Sequence, residues 1–142
     1  MITTRQNGKN DAWGFVQSSY SIDPFDNVVR LKLNGRVSAD LLTGLMREIG
    51  ALPAYRPTMH AIADFRECIG GWDYSEIQRF RDFVANACGV RPRRWALIVP
   101  PGELEATGRV LIVISEAVEA RIRMQLFDDE PSAERWVRDE MP

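Results

Sequence analysis

Two short stretches of this chain carry residue types that do chemistry at spacings that bring them together. Asp64 and Arg66 close an apolar segment, residues 59–63. On an extended strand residues two apart share a face, so a carboxylate and a guanidinium meet there. They form either an ion pair that anchors the following loop or a polar rim on a small-ligand pocket. Asp73-Tyr74-Ser75-Glu76 then follows Gly70, Gly71 and Trp72. Asp73 with Glu76 three residues on has the spacing of a capping box, which opens a helix. Ser75 falls in the first turn, as a plain helix-start residue or as a candidate phosphoacceptor. The helix N-terminus favours a phosphate there and the Glu76 charge opposes one. Trp72 is either a lid on the core or an exposed anchor for a partner, since Trp is enriched at binding hot spots. Asp64, Arg66, Trp72, Asp73 and Tyr74 make up the candidate partner or ligand contacts.

The remaining reactive types are too sparse to form a catalytic set. His60 is the only histidine, and Cys68 and Cys88 are the only cysteines. A lone imidazole without a nucleophile beside it is no catalytic dyad, and structural zinc needs four Cys or His ligands in close pairs. No catalytic residue, no metal site and no cofactor is expected. Cys88 continues an apolar helix face and reads as core; Cys68 lies in the loop, exposed, and both thiols are expected to be reduced. Asp128, Asp129 and Glu130 precede a helix that starts at Pro131, where the dipole accounts for acids better than a cation does. Phosphate-loop, nucleophile-elbow and dinucleotide-binding strings are missing.

Composition excludes several classes. The chain has 142 residues, of which 45% are hydrophobic and 27% charged, with a net charge of −2. That is ordinary for one globular domain and offers no positive field for nucleic acid. Arg91, Arg93 and Arg94 form a small basic run, read as a solvated, exposed turn. No apolar run exceeds that of residues 110–114, far short of a membrane span. The polar start lacks a signal-peptide core, so a cytoplasmic protein is expected. Residues 1–12 read as a flexible tail and residues 13–142 as a single domain.

Periodicity supplies the elements that position these residues. Residues 13–22 and 28–33 form strands around the turn Asp23-Pro24-Phe25-Asp26-Asn27, with Val29, Leu31 and Leu33 on one face and Val28, Arg30 and Lys32 on the other. Ser38 caps a helix whose stripe includes Leu42, Leu45 and Ile49. A central strand covers residues 59–65, and a second helix follows Asp73. A strand at residues 95–99 stops at Pro100-Pro101, and a third helix at 104–118 is expected to turn Val110, Leu111, Val113, Ile114, Ala117 and Val118 inward. Gly108 within it implies close packing against a neighbour, since glycine costs a helix about 1 kcal/mol relative to Ala. A strand at 121–127 and a helix with Ala133, Trp136 and Val137 inward complete the chain. The order implies a mixed, mostly parallel sheet of about five strands, with an initial hairpin and about four covering helices.

Those features resemble a known family. The hairpin followed by β-α units, the strand ending Asp64-Phe65-Arg66, and the ending that runs from Phe127 through Asp129 and Ala133 to Trp136 are similar to the bacterial STAS-like, or SpoIIAA-like, proteins, relatives of the anti-sigma-factor antagonists. The resemblance covers residues 15–138. It implies a single-domain SpoIIAA-like α/β fold and a non-enzymatic protein-interaction or regulatory module, with a protein partner and a candidate homodimer. The family's phosphorylated Asp-Ser-Ser-Gly motif falls on Asp73-Tyr74-Ser75-Glu76, which places Ser75 on the phosphoacceptor and departs from the pattern at Tyr74 and Glu76. Kinship with Sec14-type lipid-binding folds implies the alternative, a carrier or sensor of a small hydrophobic ligand or lipid. Its apolar pocket would lie between the third helix and the sheet, with Asp64 and Arg66 at the rim.

Overall fold

The computed structural model describes residues 3–11, 14–86, 93–117 and 122–139. Six strands, β1 (Thr3–Asp11), β2 (Gly14–Asp23), β3 (Val28–Gly35), β4 (His60–Cys68), β5 (Arg93–Ile98) and β6 (Ile122–Phe127), lie side by side in sequence order. β1–β2 and β2–β3 are antiparallel; β3–β4, β4–β5 and β5–β6 are parallel. Helices α1 (Ala39–Gly50), α2 (Tyr74–Asn86) and α3 (Glu103–Ala117) make the three crossovers, and α4 (Glu130–Arg138) follows β6.

The expected tail over residues 1–12 is corrected: Thr3–Asp11 is the sixth strand, paired along its length with β2. An edge strand is held by backbone hydrogen bonds and needs no apolar stripe, so a run of Thr, Asn, Gln and Lys gave no periodic signal.

The layering follows from handedness. Strands β3 to β6 always step in the same direction, and each parallel crossover is right-handed by preference, so α1, α2 and α3 fall on one face. Alternation divides the side chains accordingly. Val29, Leu31, Ala63, Phe65 and Trp95 enter the large core beneath these helices. Val28, Ile62, Ala96 and Ile98 point the other way and are covered by Ala133 and Val137 of α4. α4 packs mainly on β4, β5 and β6 and meets β3 at Val28 and Arg30, which leaves the opposite face of β2 and the Lys32 end of β3 without a helix among the described residues.

Ser38 caps α1, its hydroxyl accepting from the Leu41 amide at 3.1 Å. Asp129 caps α4, accepting from the Ser132 amide at 2.7 Å. Gly108 does pack closely: a Cβ there would stand 2.8 Å from Leu126 Cδ2 of β6. The inward face of α3 is corrected, because Val110 and Val113 are 44% and 65% exposed while Thr107 and Leu111 are buried. Arg93 and Arg94 are also corrected, from an exposed turn to buried residues that open β5. The Arg93 guanidinium donates to Tyr55 Oη at 3.0 Å, and that of Arg94 lies over the Trp136 ring and donates to the Trp136 carbonyl. Cys88 and Arg91 lie outside the described residues.

Candidate functional site

The loop from β4 to α2 is pinned from several sides. The Ile69 amide donates to the Gly35 carbonyl at 3.1 Å. Gly70 adopts a φ of +79°, the left-handed region that suits glycine, and a Cβ on Gly71 would stand 2.9 Å from Thr107 Oγ1. Trp72 is the lid of the two readings left open by its sequence. Its indole Nε1 donates to the Val37 carbonyl at 2.9 Å, its amide donates to Thr107 Oγ1 at 3.2 Å, and its ring lies 5.2 Å from that of Phe80. The large hydrophobic side chains presented outward are Ile69 and Tyr74, 62% and 70% exposed.

The capping box is formed. The Glu76 amide donates to Asp73 Oδ1 at 2.8 Å, and the Asp73 amide donates to Glu76 Oε1 at 3.4 Å. The other Glu76 oxygen accepts from the Ala39 amide at 3.0 Å, so one carboxylate serves the N-termini of α2 and α1 together. Ser75 is exposed. Arg79, one turn on, donates to Ser75 Oγ at 2.7 Å and to Asp40 Oδ1 at 3.2 Å.

Asp64 and Arg66 form the ion pair expected of the D-x-R spacing. Arg66 Nε and an Arg66 terminal nitrogen donate to the two Asp64 oxygens at 3.0 and 2.7 Å, and the Arg66 amide adds a third bond at 3.0 Å. The Arg66 hydrogen bonds hold the Asp64 carboxyl below its ordinary range, with a smaller contribution from the Lys32 charge. The pair does not rim an apolar pocket beneath α3, which corrects that expectation: Ala63 and Phe65 face the helices, and Asp64 and Arg66 face the other way. There they line a polar groove of about 290 Å³ with Ser19, Ser21 and Lys32. Register places Ser19 opposite Lys32 and Lys32 opposite Asp64, in one row across three strands. Arg30 in the adjoining row donates to both oxygens of Glu134 on α4 at 2.8 Å.

Apolar cavities among the described residues lie beneath the helices, one of about 90 Å³ between α1 and the sheet and one of about 50 Å³ beside α3. Cys68 is buried at the end of β4, correcting the exposed loop position, and burial pushes its thiol up to about 12. His60 Nδ1 accepts from the Arg94 amide at 2.9 Å; burial, then the Arg94 and Arg93 charges, lower its pKa. No group of three or more His, Cys, Asp or Glu among the described residues is placed to hold a metal ion.

Ile69, Lys32, Ser19 and Ser21 belong to no motif that marks them as surface features in the sequence. Alternation had already put Arg30 and Lys32 on the face away from Leu31. The handedness of the crossovers then makes that face the open one.

The chain is similar in fold to a solved structure over nearly its whole length. That structure is of an uncharacterized protein from the DUF3478 family, described as having a SpoIIAA-like fold, from Shewanella loihica PV-4. The TM-score is 0.52 at 15% identity, over 96% of this chain and 95% of that one. This chain has a SpoIIAA-like fold. No family model and no curated protein matches the sequence. At that identity the SpoIIAA-like likeness concerns architecture, and the loop and groove are read from their own geometry.

Proposed function

We propose that this SpoIIAA-like domain is a non-enzymatic interaction module acting in the cytoplasm, and that it meets a protein partner through the β4–α2 loop. The observation that carries the reading is the pairing of a pinned backbone with two outward apolar side chains, Ile69 and Tyr74. A rigid loop loses little conformational entropy on binding, and large exposed apolar side chains on it are suited to burial in a partner's pocket. Trp72 and Asp73 serve this surface from behind, as lid and cap. Ser75 is its point of control. A phosphate there would meet the Arg79 guanidinium and the first turn of α2, which favour it, against the Asp73 and Glu76 carboxylates.

Affinity capture from the source cells, with wild-type chain and with an Ile69→Ser/Tyr74→Ser variant side by side, tests the reading. A stoichiometric protein retained by the wild type and lost by the variant, with phosphate on the Ser75 peptide in a fraction of the bait, is expected. Identical captures by both chains would overturn it.

The alternative of a lipid carrier draws less support. Drug-sized ligands occupy pockets of about 300–1,000 Å³, well above the 90 and 50 Å³ beneath the helices.

A further inference from the structure

Helix α3 carries an apolar row that the fold does not bury. Its inward side is occupied: Thr107 and Leu111 are buried, and Gly108 backs onto Leu126 of β6. On the outward side Ala106 is exposed, and Val110 and Val113 are 44% and 65% exposed, two branched apolar side chains one turn apart. Ala117 holds the next position of the row, at the end of the helix. Positions 106, 110, 113 and 117 are spaced by four, three and four residues. That is the a/d repeat of a helix that packs along its length against another helix.

The charges beside the row select the occupant. Arg109 and Glu116 are seven residues apart, so they hold equivalent positions on one flank of the row. Within the chain Arg109 lies 3.5 Å from Glu105 with both side chains exposed, a weak pair. When a second copy of α3 lies antiparallel on the first, Val110 meets Val113 of the second copy and Ala106 meets Ala117. The same flank positions then face each other, which sets Arg109 opposite Glu116 of the second copy. The two-fold axis forms this pair twice. A parallel pairing sets Arg109 across from Ile114 and forms no ion pair. The flank charges therefore complement a second α3 in the antiparallel sense. We propose that α3 is a self-association surface, through which two copies of this chain pair antiparallel about a two-fold axis. A contact of two heptads is small, so the dimer is weak and reversible.

Sedimentation velocity on the full chain, over a concentration series reaching about 1 mM, tests this; a monomer–dimer equilibrium with a Kd of about 100 μM or tighter is expected. Val113→Arg puts a charge into the apolar row and should abolish the dimer, with an unchanged circular dichroism spectrum because the side chain is exposed. Arg109→Glu and Glu116→Arg each set like charges opposite one another twice, and each variant alone should self-associate about tenfold more weakly. An equimolar mixture of these two variants should regain the wild-type affinity, because a pair of unlike chains restores both complementary contacts. The proposal is overturned by a chain that stays monomeric throughout the series, by a dimer that survives Val113→Arg, or by a mixture that associates no more tightly than the two variants alone. Ile69→Ser/Tyr74→Ser should leave the dimer intact, so self-association and partner capture are read separately.

Discussion

Trp72 joins three parts of the molecule through one residue: its indole N–H reaches the segment before α1, its amide reaches α3, and its ring packs at a tilt against Phe80 of α2. Trp72→Phe keeps most of the ring and deletes the bond to the Val37 carbonyl. It should cost about 1 kcal/mol in urea denaturation and raise amide exchange in the loop. His60 supplies a pH dependence. Its pKa is lowered in the folded state by burial first and then by the charges of Arg94 and Arg93. Stability is therefore complete above the unfolded value of about 6.5 and falls as the pH drops below it toward the lower folded-state value. His60→Asn should remove that slope in thermal melts, with the carboxylate-driven decline at lower pH retained. At this scale the sequence was legible where spacing dictates contact, as with Asp64 and Arg66 or Asp73 and Glu76. It was silent where the partner is remote in the chain, as with Trp72 and Val37, or the second bond of Glu76 to Ala39.

Helix ends carry the loop. Glu76 closes its own capping box and also receives the first amide of α1, so two elements depend on one carboxylate. Glu76→Ala leaves the buried Ala39 amide without that acceptor and should destabilise by about 1–2 kcal/mol; Glu76→Gln, which retains an acceptor, should cost less, as read by chemical denaturation. α4 is held to the opposite face by the bidentate Arg30–Glu134 pair. A double-mutant cycle on these two residues should return a coupling of about 1 kcal/mol. Element types followed from apolar periodicity, and five of the strands and all four helices were legible that way. The phase of α3 was not. Its run of Val, Leu and Ile is apolar all round, so periodicity could not separate the buried Leu111 from the exposed Val110 and Val113.

The whole molecule is one-sided because its parallel crossovers share a hand. Three helices bury one face of the sheet, α4 covers part of the other, and the polar groove is what remains open. The edge strand β1 was illegible because it is joined by backbone bonds to β2 and its sequence carries no apolar stripe. This layout puts the β4–α2 loop at one end of the sheet and the exposed Phe25, in the β2–β3 turn, at the other. That separation gives the most direct test of the interaction surface. A photoreactive phenylalanine analogue is placed at Tyr74 in one chain and at Phe25 in another, and both are irradiated in the source cells. One discrete protein adduct from position 74 and none from position 25 is the predicted result. No adduct at position 74, or the same adducts from both positions, would contradict a partner-docking role for the loop.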